Sequence, residues 1–179
     1  MTDNKILDDL KKYSLSNFDI EKLLKGKANL LTYLELKEYD NIDDVLGKYN
    51  ACVILYLSSK NYGHWCCIFR SPKKNTLEFF DPYGYTVDYA LKFAPEHFRK
   101  VNGLEYPHLT YLLYNSPYNI EYNNYKFQKL GNGINTCGRH VVTRLLLRDL
   151  TIEQYNKLMK KYKNIKPDDF VTIITENKK

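Results

Sequence analysis

The sequence lacks any apolar run approaching the ~18 residues that a membrane span requires. It has only four cysteines, Cys52, Cys66, Cys67 and Cys137, with no CxxC pair among them. A disulfide framework and a zinc finger are therefore not expected, and the thiols suit a reducing compartment. Arginine is scarce, 5 against 22 lysines, and there is no Arg-rich arm or nucleic-acid recognition motif. No apolar segment follows the polar start Met1-Thr2-Asp3-Asn4, so a secretory signal is not expected. Internal repeats and low-complexity linkers are also missing. A chain of 179 residues then reads as one domain with a core of its own.

The remainder, 44% hydrophobic and 27% charged, is the balance of a soluble globular domain. Its net charge of +6 has two readings. Codons rich in A and T favour Lys, Asn and Tyr, and Asn and Tyr each occur 17 times. Alternatively, the basic surface meets a polyanion such as DNA. Lys157, Lys160, Lys161, Lys163 and Lys166 form the densest basic cluster, as a solvated helix face or a DNA contact.

Hydrophobic spacing predicts a helix carrying Ile6, Leu7, Leu10 and Tyr13, with Asp3 as a cap, then short helices over Asp19 to Leu24 and Ile42 to Leu46. Strands are predicted at Ala51 to Leu57, Trp65 to Phe69 and Leu77 to Phe80, with turns at Asn61-Tyr62-Gly63 and Pro72 to Asn75. The short spacings favour antiparallel pairing, because parallel neighbours need long crossovers. Val87 to Phe93 and Pro107 to Tyr114 read as helical, and Tyr125 to Gln128 as a short strand. After a Gly131-Asn132-Gly133 loop, Thr136-Cys137-Gly138 opens a helix whose Val141, Val142, Leu145 and Leu146 form an apolar stripe, with Arg144 and Arg148 on other faces. Thr151 to Tyr162 is amphipathic, and Pro167 starts a last helix. The expected fold is α+β, a central, mainly antiparallel sheet flanked by helices, with Cys137 at the N-terminus of a buried helix. Residues 1–48 form a helical N-terminal segment, 49–150 a core and 151–179 C-terminal helices.

Gly63-His64-Trp65 enters a strand, and Asp81 follows His64 by 17 residues at the end of the next strand. A carboxylate there can hold one imidazole nitrogen and fix the tautomer. At the first turn of a helix, unpaired N–H groups and the positive dipole end favour a Cys137 thiolate. Thr136 is placed as the N-cap, and Gly138 keeps the backbone open to a ligand. Gln128, nine residues before Cys137, can supply an amide N–H to an oxyanion together with the Cys137 N–H. Each residue also has a plain structural reading: a hydrogen-bonded histidine, an Asp-Pro-Tyr-Gly turn, a buried cysteine.

In combination, Gly-His-Trp at 63–65, Phe-Phe-Asp-Pro-Tyr-Gly at 79–84, Gln128 and Thr-Cys-Gly at 136–138 resemble the adenovirus-type cysteine proteases. That group includes the ubiquitin-like-protein-specific proteases and the proteases of virophages, giant viruses and Maverick/Polinton elements. Asn29 to Tyr33 and Ile42 to Leu46 are similar to segments of the virophage and Maverick enzymes. The resemblance spans roughly residues 29 to 149. It implies His64 as general base, Asp81 as its orienting acid, Cys137 as nucleophile, Gln128 as oxyanion donor and Trp65 as a wall of the substrate site beside Gly138, with no metal or organic cofactor. The Gln128–Cys137 interval is longer than in many members. The resemblance further implies a monomeric maturation endopeptidase that cleaves capsid or core precursors at Gly-containing sites. It would act in the virion or the cytoplasmic virus factory, with DNA or a peptide as candidate activator and no membrane.

Two rivals stand beside this expectation, a protease of SUMO- or ubiquitin-like modifiers and a basic, non-enzymatic DNA-binding protein. His140 competes with His64 as base. Cys66 and Cys67 are read as structural, and a zinc site from His64, Cys66 and Cys137 matches no common spacing.

Overall fold

The computed structural model describes residues 2–60, 62–131, 133–162 and 164–176, with side chains from Lys5 onward. The side-chain cap expected at Asp3, and Asn61, Asn132 and Lys163 of the turn, loop and basic cluster, lie outside these residues. The architecture is α+β, a five-stranded sheet in the order β1-β2-β3-β4-β5 with helices on both faces. The strands are β1 (Asn29–Thr32), β2 (Ala51–Ser59), β3 (Tyr62–Arg70), β4 (Thr76–Phe80) and β5 (Asn119–Tyr122). The helices are α1 (Thr2–Lys12), α2 (Asn17–Leu24), α3 (Ile42–Leu46), α4 (Glu96–Asn102), α5 (His108–Tyr114), α6 (Cys137–Leu146), α7 (Ile152–Lys161) and α8 (Pro167–Glu176). No described helix is long and apolar enough to cross a membrane.

The sheet is mixed, which corrects the expectation of a mainly antiparallel one. The pairs β2–β3 and β3–β4 are antiparallel, as their short connections require, whereas β1–β2 and β4–β5 are parallel. Each parallel pair is joined by a connection containing helix, α3 in one case and α4 with α5 in the other, long enough for a crossover. Strand β1 falls in the segment expected to be helical. The strand expected at Tyr125 to Gln128 does not form, because the N–H groups of Phe127 and Gln128 both donate to the Pro82 carbonyl, at 3.0 and 2.9 Å, instead of to a ladder. Residues Tyr89–Phe93 make only a short 3₁₀ turn. Asp88 before it is left-handed, and its carboxylate accepts from the Tyr56 hydroxyl at 3.1 Å and the Thr110 N–H at 2.9 Å.

Period-two alternation divides the strand residues between two cores. Ala51, Val53, Trp65, Cys67, Phe69 and Phe80 face α2, α6, α7 and α8. Cys52, Ile54, Tyr56, Cys66, Ile68, Leu77 and Phe79 face α3 and α5. Because both faces are covered, Cys66 and Cys67 are both fully buried, one in each core. Val141, Val142 and Leu145 bring the stripe of α6 onto the first face, a burial contributing about 1.5–3 kcal/mol per side chain. Arg144 is not on a solvated face. Its guanidinium is fully buried against Glu78 of β4, with Nε to Oε1 at 2.8 Å and Nη2 to Oε2 at 2.6 Å. This pair ties α6 to the strand that leads into Asp81.

Candidate active site

Antiparallel register sets the geometry of the site. Cys67 pairs with Phe80, so Asp81, one residue beyond β4, falls opposite Cys66. His64 lies two residues back along β3, on the same face as Cys66. His64 Nε2 is accordingly 2.9 Å from Asp81 Oδ1, and the Cys66 thiol donates to Asp81 Oδ2 at 3.5 Å. A carboxylate only accepts, so Nε2 carries the proton. That leaves Nδ1 for Cys137, which lines the same cleft as His64 and acts on the charge of its imidazole. Thus His64, Asp81 and Cys137 are brought together. Burial pulls the His64 pKa down, but the Asp81 carboxylate and the Cys137 sulfur outweigh it and raise it from 6.5 to about 10.

Asp81 is itself held from several sides. Its Oδ1 also accepts the Tyr83 N–H at 2.7 Å. Its backbone N–H donates to Asn123 Oδ1 at 2.9 Å, and Asn123 Nδ2 returns a bond to the Asp81 carbonyl at 2.6 Å. The Tyr83 ring stacks on His64 with centroids 4.7 Å apart and an interplanar angle of 17°. Gly63 has a steric reason: a Cβ there would run into the Tyr56 carbonyl oxygen and lie 2.8 Å from Leu55 Cδ1.

A cleft of about 320 Å³ opens on the pair, lined by His64, Cys137, Tyr62, Tyr83, Phe93 and Gln128, among others. Gln128 is thus in the site as expected, yet both of its amide protons are engaged. Nε2 donates to the Tyr83 hydroxyl at 3.1 Å and to the Ile134 carbonyl at 3.2 Å, while Oε1 is buried without a partner. Trp65 and Gly138 do not line the cleft. Trp65 is a core residue whose Nε1 donates to the Leu15 carbonyl at 3.1 Å. A Cβ on Gly138 would meet Leu15, Trp65 and Ile20 at 3.1 to 3.4 Å, so its small size admits the packing of α2 and Trp65 against α6. Thr136 occupies the N-cap position without making the cap bond. Its hydroxyl donates to Asp168 Oδ1 at 2.5 Å instead. The competing base, His140, is turned away to the same carboxylate, Nε2 lying 3.0 Å from Oδ1.

Among the described residues, one group could hold a metal ion by proximity: His64, Cys66 and Asp81, whose donor atoms lie within 4.8 Å of one another. It differs from the considered zinc set in replacing Cys137 by Asp81. Burial raises the Cys66 thiol well above its ordinary value, which opposes the thiolate that a metal requires.

Asn123, Phe93 and Asp168 were not legible as site residues, and Cys66 was legible only as a candidate zinc ligand. Tyr83 was visible only as a member of the Asp-Pro-Tyr-Gly block. No protein-family model matches the chain. The uncharacterized protein V9 of Sputnik virophage is 47% identical to it over 167 residues, which cover 92% of this chain and 95% of that protein.

Proposed function

This chain belongs to the family of the Sputnik virophage protein V9, and from that premise we propose that it is a cysteine endopeptidase of viral maturation, cleaving capsid or core precursors at Gly-containing sites. The observation that carries the reading is the His64 imidazole, 2.9 Å from Asp81 through Nε2, at a cleft that Cys137 also lines. A nucleophile, a base and an orienting acid then act as one unit. His64 Nδ1 takes the Cys137 proton, and the sulfur attacks the scissile carbonyl carbon. The imidazolium gives that proton to the leaving amine as the C–N bond breaks, forming a thioester. His64 then takes a proton from water, whose hydroxide releases the acid and regenerates the thiol.

The oxyanion of each tetrahedral intermediate falls to the first-turn amides of α6 and to Gln128. Because both Gln128 protons already have partners, donation proceeds by sharing the proton now given to Tyr83. The small P1 preference is supported by the closeness of the walls. Cys137 and His64 are only 6% and 5% exposed, and the Tyr62 hydroxyl reaches Asn135 Oδ1 at 3.1 Å beside them.

The test is cleavage of the capsid precursor encoded with this protein, by wild type and Cys137→Ala, with iodoacetamide labelling read by mass spectrometry. Cleavage by wild type alone, with the label on Cys137, is expected. Cleavage by Cys137→Ala refutes the mechanism. Preference for a SUMO- or ubiquitin-fluorophore substrate over the precursor would transfer the site to modifier processing.

A further inference from the structure

Asp168 lies in the first turn of α8, outside the segment that carries the triad, and is 5% exposed. Its carboxylate gathers three donors. Oδ1 accepts the Thr136 hydroxyl at 2.5 Å and His140 Nε2–H at 3.0 Å; Oδ2 accepts the Lys129 N–H at 3.0 Å. These donors have one thing in common. Lys129 follows Gln128, Thr136 precedes Cys137, and His140 sits one turn into the helix that Cys137 opens. The described residues between Lys129 and Thr136 form no strand or helix that would set the span. A single carboxylate from a distant helix closes that span at both ends.

The Thr136 contact has a second consequence. A threonine at the N-cap ordinarily bonds a first-turn N–H, and Thr136 does not. With its hydroxyl drawn to Asp168, the amides at the start of α6 have no side-chain cap. These are the donors that an oxyanion beside Cys137 needs.

We infer that Asp168 is a positioning residue: it sets the distance between the oxyanion side chain Gln128 and the nucleophile Cys137, and holds Thr136 off the amides that receive the oxyanion. This rests on the cysteine-protease reading of the site. Burial raises the Asp168 pKa, but His140, Thr136 and the Lys129 N–H outweigh it, so the carboxyl stays below its ordinary value. Asparagine keeps the shape and one acceptor, but turns an NH₂ group toward the Lys129 N–H, so that two donors face each other. Valine at 136 keeps the shape of threonine and removes the hydroxyl.

The intact chain as wild type, Asp168→Asn and Thr136→Val is compared by three readouts: kcat and KM on a peptide the wild type cleaves, iodoacetamide alkylation of Cys137, and NMR hydrogen exchange of the Lys129 amide. Alkylation needs the His64–Cys137 pair but no oxyanion hole. For Asp168→Asn, kcat falls ~10–100-fold, the scale of a misplacement near 1 Å, while KM and the alkylation rate stay within about threefold and Lys129 exchange accelerates. Thr136→Val lowers kcat in the same manner without speeding Lys129 exchange. An unchanged kcat in both variants, or alkylation falling in parallel with kcat, overturns the inference. If the wild type cleaves no peptide, the protease reading has failed; Lys129 exchange as slow in Asp168→Asn as in wild type separately overturns the clamp. Should Asp168→Asn not fold, Thr136→Val decides.

Discussion

Replacing Arg144 by methionine removes a buried charge while keeping most of the side-chain length, and it takes donors from three groups. Glu78, fully buried, loses a bidentate counter-ion, the Leu150 carbonyl loses the guanidinium nitrogen 2.8 Å away, and the Leu147 carbonyl loses a donor at 2.8 Å but keeps the Leu150 N–H at 3.1 Å. The packing of the guanidinium over Phe69 and Tyr155, 4.9 Å from each ring centroid, passes to a thioether that fills similar space. Glu78 then has two options. Remaining ionised without a partner costs about 3–5 kcal/mol. Taking up a proton at pH 7, from an ordinary value of 4.5, costs ~1.4 kcal/mol per pH unit, or about 3.5 kcal/mol. Burial already raises this carboxyl and Arg144 opposes the rise, so without Arg144 protonation is the cheaper route up to about neutrality. At pH 5 the same proton costs less than ~1 kcal/mol. The native variant binds more protons than its unfolded chain above pH 4.5, so its stability falls as pH rises. Urea unfolding of wild type and Arg144→Met at pH 5 and pH 7 should give a loss that grows by roughly 2–3 kcal/mol between the two. A pH-independent loss, or one under ~1 kcal/mol at pH 7, would refute the reasoning. Adding Glu78→Gln should remove the pH-dependent part and leave the cost of the carbonyls.

In the wild type, His64 is an imidazolium at neutral pH, and the stability it contributes is full below 6.5 and lost as pH rises through about 10. Under the proposed protease mechanism, peptide cleavage should fall over the same upper limb, as the proton for the leaving amine is lost. In Asp81→Asn, burial prevails and His64 is neutral at pH 8 by NMR; a charged imidazole there would refute Asp81 as the partner that holds the proton. Gly63→Ala should cost roughly 1–3 kcal/mol in chemical denaturation, because its Cβ meets a backbone carbonyl, not the end of a flexible side chain; a loss under ~0.5 kcal/mol would contradict that packing.

Several features were readable because their causes are local. Alternation at 51–57 and 65–69 is a property of consecutive residues, and so is the apolar stripe of α6. The order Gly-His-Trp, Asp-Pro-Tyr-Gly, Thr-Cys-Gly was likewise sufficient to nominate His64, Asp81 and Cys137. Strands β1 and β5, four residues each, are too short to declare a period. They exist as strands because β2 and β4 offer them an edge. Arg144 reads only as lying off the apolar stripe of its helix until Glu78 is found opposite it on a strand, 66 residues away. Trp65 and Gly138 read as substrate contacts because they adjoin His64 and Cys137, but adjacent residues on a strand face opposite sides, and the helix start is packed against Leu15 and Ile20.

What the sequence determined by itself is therefore the class of the fold and the identity of the three residues that share one imidazole. What tertiary structure decided is their support: the parallel edges of the sheet, the Tyr83 and Asn123 cradle around Asp81, the engagement of Gln128, and the reach of Asp168 from the last helix. Local periodicity follows from the geometry of a few consecutive residues. A buried ion pair or shared carboxylate depends on which distant segments meet, and that is settled only when the whole chain has packed.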